Sequence, residues 1–168
     1  LNYKFDIKKS YSIETEKIYG KKKINNFFKT FLNEKIYKKV LFSSVVPNAY
    51  KKINKYLKEK NFRSFEIKDL KIKNILNINI KNLNQLGSDR IANAIGSKNY
   101  KNCIVIDFGT ATTFDILKNG TYDGGVIAPG IDLSIRNLNE FTALLPLLNL
   151  NSKQKNYGKN TKEALNAG

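Results

Sequence analysis

Residues 102 to 117 read NCIVIDFGTATTFDIL, two apolar strand-like runs, CIVI and TFDIL, around the small polar core DFGTATT. Such runs separated by turn residues predict two successive antiparallel strands. In a tight connection, Gly109 permits a backbone path with N–H groups turned outward, and Thr110, Thr112 and Thr113 add hydroxyl donors. Asp107, at the end of the first strand, is then placed to collect a cation beside a bound anion. The same letters also suit plain structure, because Thr favours strands and Asp-x-Gly is a common turn. Local chemistry alone leaves both readings open.

Working outward, residues 121 to 128 read as a third strand, joined to the second by Asn119-Gly120, a strong two-residue hairpin signal. Pro129-Gly130 breaks the meander. Asp132 to Phe141 then spaces Leu133, Ile135, Leu138 and Phe141 near a helical period, and Asn160 or Thr161 can cap a last helix, TKEALNAG. Upstream, LGSDRIANAIGS predicts a helix with Ser88 as N-cap, Asp89 and Arg90 in the first turn, and Gly96 as its end.

Farther back, after a helix over Lys22 to Glu34, an apolar run from Val40 to Val46 stopped by Pro47, a helix over Ala49 to Lys60 and the strand FRSFEI make a βαβ unit. That unit implies a partly parallel, buried sheet. LNYKFDI and YSIET read as two short strands, and KIKNILNINIKNLNQ as an irregular patch. The expected fold class is α/β with mixed sheets flanked by helices, and the texture changes near Tyr100. The expected domains are therefore residues 1–100 and 101–168.

Composition narrows the function classes. The chain has 168 residues, 41% hydrophobic, with one cysteine and no histidine. This suffices for a core, excludes an internal disulfide framework and argues against a zinc site. No run of eighteen apolar residues exists and no signal-peptide pattern opens the chain, so a cytoplasmic protein without membrane contact is expected.

The net charge of +16 invites a nucleic-acid reading. However, residues 1–101 hold 22 Lys and 2 Arg against 8 acids, whereas residues 102–150 hold one Lys and one Arg against five acids. Only three of thirty basic residues are Arg, the residue suited to bidentate phosphate and base contacts. No specific nucleic-acid partner is expected. In so lysine-rich a chain, Arg90 draws notice beside Asp89 at a helix start, where the dipole favours anions and a planar fork suits a carboxylate.

Taken together, GSDR (87–90), VIDFGTATTFD (105–115), GGVIAPGI (124–131), FTALLP (141–146) and YGKNTKEALNAG (157–168) resemble type III pantothenate kinase, and SSVVP (43–47) fits the same family. The resemblance implies two actin-like, ribonuclease H-like domains of the acetate and sugar kinase superfamily, both incomplete here. It implies ATP-dependent phosphorylation of pantothenate to 4′-phosphopantothenate, the first step of coenzyme A biosynthesis. ATP with a divalent cation such as Mg, a monovalent cation (K+ or NH4+) and a homodimer come with it.

Carried over by position, Asp89 is the catalytic base; Gly87, Ser88, Asp89, Arg90 and Thr161 bind pantothenate; Thr110 contacts ATP; and Asp107 holds the monovalent cation. The DFGTATT hairpin becomes a phosphate loop. Two departures accompany the match. Ile80 stands where the family carries a substrate-contacting tyrosine, and no Asp-x-Gly-Asn-Thr phosphate loop precedes Gly87. With no methionine present and a helix expected to run on past Gly168, both ends read as cut, and these 168 residues alone are expected to have little or no kinase activity. A kinase-like regulatory or binding protein is the alternative.

Overall fold

The computed structural model describes residues 10–32, 39–148 and 156–168. Helix α1 (Lys21–Leu32) is followed by strand β1 (Lys39–Phe42), α2 (Pro47–Glu59), β2 (Arg63–Glu66), β3 (Asn77–Ile78), α3 (Ser88–Ser97), β4 (Cys103–Phe108), β5 (Ala111–Lys118), β6 (Thr121–Pro129), α4 (Ile131–Glu140) and α5 (Thr161–Ala167). The expected α/β architecture with mixed sheets is what forms. Contacts divide the chain into two units, residues 1–75 with 82–92 and residues 76–81 with 93–168. The division falls inside α3.

In the first unit β1 and β2 pair in parallel, with α2 as the crossover of the predicted βαβ unit. Pro47 opens α2, where its fixed φ and missing N–H cost nothing. Ile18, Ile24, Phe28 and Leu57 form the core, against which Val40, Phe42 and Ile53 pack. Phe28 stacks on Tyr56 with ring centroids 5.1 Å apart. Among the described residues this sheet has two strands, and the paired Leu41 and Phe65 are 60% and 44% exposed.

Four local expectations change. YSIET (11–15) forms no strand, a short 3₁₀ helix follows it over Thr15–Tyr19, and LNYKFDI lies outside the described residues. The irregular patch contains β3, too short for a periodic signal. Ser88 is the first helical residue rather than the cap, because Gly87 supplies the first accepting carbonyl, to Ile91 N at 3.1 Å. Gly96 lies within α3, which extends to Ser97.

The second unit is a four-stranded sheet in the order β3-β6-β5-β4, parallel at β3–β6 and antiparallel elsewhere. Asn119 and Gly120 have φ of 51° and 72°, the paired positive values that suit a two-residue hairpin. A bulge follows where the β5–β6 register shifts between Ile116 and Leu117. On the bulged side, Asp123 accepts from Asn79 at 2.8 Å and pairs with Lys118 at 2.7 Å. Those two partners, Lys118 foremost, hold the Asp123 carboxyl below its ordinary range.

Within this sheet Asp115 is fully buried and accepts the Tyr122 hydroxyl at 2.9 Å, across the hairpin. A buried carboxylate that loses a donor keeps its desolvation cost. Tyr122→Phe is therefore expected to lower the unfolding free energy by about 1–3 kcal/mol, read from denaturant unfolding.

Candidate functional site

The first group of site residues belongs to the first unit. Residues 87–90 carry Gly87 ahead of α3 and Ser88, Asp89 and Arg90 in its first turn. Asp89 Oδ1 accepts the Arg90 backbone N–H at 2.8 Å, which fixes one oxygen of the carboxylate at the positive end of the helix. The carboxylate folds back over Gly87 so closely that a Cβ there would overlap Asp89 Oδ1. Glycine at position 87 thus gives the carboxylate its place. Ser88 is 1% exposed, backbone included, whereas Gly87 beside it is half-buried. Arg90 is half-buried.

Beside this turn lies the SSVVP loop. Val45 Cγ1 is 3.6 Å from the point where a Gly87 Cβ would sit. The loop is anchored by Glu66, buried to 9% exposure, which accepts the N–H groups of Ser44 and Lys68. Burial, with Asp69 and Glu66 close by, raises the Tyr50 hydroxyl above its usual range. The buried Glu66 in a run of strand residues was a readable signal of an anchored polar group, and the sequence reading passed over it.

The second group belongs to the second unit. The β4–β5 connection is a tight hairpin with Phe108 opposite Thr112 and Asp107 opposite Thr113. The Gly109 N–H points inward, donating to the Ala111 carbonyl at 3.1 Å, so the expected set of outward N–H groups is reduced by one. The three threonines also differ. Strand alternation turns Thr112 inward to 6% exposure, leaves Thr113 half-buried and keeps Thr110 exposed at the tip.

Gly130 closes on this tip: its N–H donates to the Thr110 carbonyl at 3.0 Å, and a Cβ on it would collide with the carbonyls of Gly109 and Thr110. The GGVIAPGI segment is thereby tied to DFGTATT.

Asp107 is exposed, shares its sheet face with Thr113 and has Asn93 Nδ2 3.5 Å from its Oδ2. The Asp107 carboxylate and the Thr113 hydroxyl are hard oxygen donors that fit an alkali cation, while Asn93 turns its Nδ2 donor toward the carboxylate. Among the described residues no three His, Cys, Asp or Glu side chains converge. Sequence reasoning missed Asn93, whose position one helical turn past Asp89 was the available signal.

Thr161, the first residue of α5, follows the Asn160 cap, whose side chain accepts from Glu163 N at 2.9 Å. It is exposed on an open depression of about 610 Å³ shared with Leu138, Gly158 and Asn160. Leu138 is seven residues along α4 from Ile131, about 10 Å from the helix start that meets Thr110. The structure therefore keeps Asp107 and Thr110 on one hairpin and sets Thr161 at another part of the same unit.

The fold and these two groups define an α/β protein with a carboxylate at a helix start and a threonine-tipped hairpin. The sequence profile of type III pantothenate kinase matches residues 3–168. A type III pantothenate kinase of Pelagibacter ubique (strain HTCC1062) is 42% identical over 139 residues, covering 82% of this chain and 56% of that protein. One of Thermosipho melanesiensis is 36% identical, covering 98% of this chain and 66% of its own length.

Among solved structures, a conserved Campylobacter jejuni protein assigned to the Baf family of transcriptional activators aligns with a TM-score of 0.53 and 25% identity, over 84% of this chain and 62% of that one. The chain belongs to the type III pantothenate kinase family. It spans 56% to 66% of the length of the relatives just named.

Gly87→Ala forces the Asp89 carboxylate off its position. In the whole protein, turnover is expected to fall by about 100-fold, while the unfolding free energy changes by no more than about 1 kcal/mol. Steady-state kinetics beside denaturant unfolding checks both.

Proposed function

We propose that the whole protein transfers the γ-phosphoryl group of ATP to the hydroxymethyl oxygen of pantothenate, giving 4′-phosphopantothenate and ADP. The observation that carries this reading is the Asp89 carboxylate, seated over Gly87 with Oδ1 held by the Arg90 N–H. That bond leaves Oδ2 to take the proton as the substrate oxygen attacks and the bond to the ADP oxygen breaks. A carboxylate within about 3 Å of the hydroxyl suffices, because phosphoryl transfer depends chiefly on positioning and charge stabilisation.

Arg90 orients the far end of pantothenate, whose carboxylate suits a guanidinium fork. Within the first unit Gly87 presents backbone to the substrate with the buried Ser88 behind it, and in the second unit Thr161 is the candidate pantothenate contact. Thr110, at the tip closed by Gly130, meets the ATP phosphates. Asp107, with Asn93 and Thr113 around it, holds a potassium or ammonium ion, whose charge supports the phosphate-binding turn. A divalent ion such as magnesium would accompany ATP and offset the negative charge of its phosphates. The kinase reading carries two actin-like domains, residues 1–100 and 101–168. A homodimer in the cytoplasm completes the reading, and no helix among the described residues is long and apolar enough to cross a membrane.

Asp89→Asn keeps the shape of the side chain and removes its basicity. It is expected to lower turnover by about a hundredfold to ten-thousandfold with ATP affinity nearly unchanged. Unchanged turnover refutes the role. Asp107→Ala is expected to abolish both potassium stimulation of turnover and the rise in melting temperature on adding potassium; a full response to potassium in that variant refutes the cation assignment.

A further inference from the structure

The SSVVP loop has no role in the chemistry so far, yet it is built to present one apolar side chain beside the base. Val45 is 60% exposed. Its neighbour Val46 is 40% exposed as well, and scattered exposed valines are ordinary on a protein surface, so exposure alone carries nothing. What sets it apart is how the bend is held. The Ser44 hydroxyl accepts the Val46 N–H at 3.2 Å and donates to the Val46 carbonyl at 3.3 Å, bridging the bend on either side of Val45. The Ser44 N–H donates to buried Glu66 at 3.4 Å, and Pro47 starts α2 directly after the loop. Both flanks are fixed, which limits the freedom of the residue between them.

The second observation is where that side chain lies. Val45 Cγ1 and Asp89 Oδ1 are both neighbours of the single point that a Gly87 Cβ would occupy. Their distances from it, 3.6 Å and 2.4 Å, put the Val45 methyl no more than 6.0 Å from Asp89 Oδ1, so a ligand group that meets the carboxylate lies alongside the exposed Val45 side chain. Pantothenate has matching chemistry there. Its reacting hydroxymethyl group is bonded directly to a quaternary carbon that carries two methyl groups. A hydroxyl that reaches Asp89 therefore brings those methyls to within a few bond lengths of the carboxylate, where a side chain at about 4 Å makes apolar contact.

We propose that Val45 is a specificity-determining residue that packs against the dimethyl-bearing carbon of pantothenate while Asp89 receives the proton of the adjoining hydroxyl. This rests on the pantothenate kinase reading of the Gly87–Arg90 segment. Val45 selects for a branched carbon beside the reacting alcohol, complementing Arg90 at the opposite end of the substrate. Losing one or two methyl contacts in an apolar subsite is worth about tenfold in kcat/KM.

The test compares pantothenate with its analogue in which both methyls are replaced by hydrogen, using the whole protein with ATP, magnesium and potassium. The wild type is expected to prefer pantothenate about tenfold in kcat/KM. In Val45→Ala and in the isosteric Val45→Thr that preference is expected to shrink toward one, chiefly through a higher KM for pantothenate. A merely structural role would weaken both substrates alike and leave the ratio intact. An unchanged ratio in both variants overturns the role of Val45 alone, whereas failure of the wild type to phosphorylate either compound overturns the kinase reading with it.

Discussion

The bond from the Gly130 N–H to the Thr110 carbonyl joins the end of β6, the start of α4 and the tip of the β4–β5 hairpin at one point. It forms only because residue 130 has no Cβ, since one would run into the Gly109 and Thr110 carbonyls. The hairpin tip is thus a braced structure whose height above the sheet is set by backbone contact. Everything assigned to that tip, phosphate contact at Thr110 and cation binding at Asp107, depends on that bracing. Behind it the fully buried Asp115 and the Tyr122 hydroxyl link β5 to β6. A buried polar pair of this kind disfavours a slipped register, because a one-residue shift would move both groups to the other face.

In the first unit the same device recurs in different form. Gly87 admits the Asp89 carboxylate where a side chain would stand, and Glu66 anchors the loop that brings Val45 alongside. Both groups therefore combine a glycine that admits a close approach with a buried carboxylate that holds the neighbouring strand or loop. This accounts for a chain rich in exposed lysine that keeps a few acids inside: Glu66 and Asp115 stabilise local geometry, while Asp89 and Asp107 remain accessible to ligands.

Much of this was legible from residues alone. Apolar periodicity located α1, α2 and α4 to within a residue or two where they are described, and Asn119-Gly120 marked its hairpin because only residues tolerant of positive φ fit there. The βαβ pairing of β1 with β2 followed from element lengths. Other features were hidden for physical reasons. Two-residue β3 has no period to detect, and YSIET, which finds no partner strand among the described residues, runs irregularly into the 3₁₀ turn at Thr15–Tyr19 that places Ile18 in the core. Which threonine of TATT faces outward depended on register, and the inward turn of the Gly109 N–H depended on hairpin geometry; neither is encoded in residue type. Asn93 and Val45 are ordinary letters that gain meaning only from the atoms beside them.

The central claim is that the whole protein phosphorylates the pantothenate hydroxyl, with the helix-start carboxylate Asp89 as the proposed base. Phosphorus NMR of the whole protein incubated with ATP, magnesium, potassium and pantothenate tests it most directly. The account predicts a phosphomonoester of pantothenate at its 4′-oxygen, appearing one for one with ADP and only when pantothenate is present. ADP formed at the same rate without pantothenate, with the phosphate released as inorganic phosphate, would contradict it.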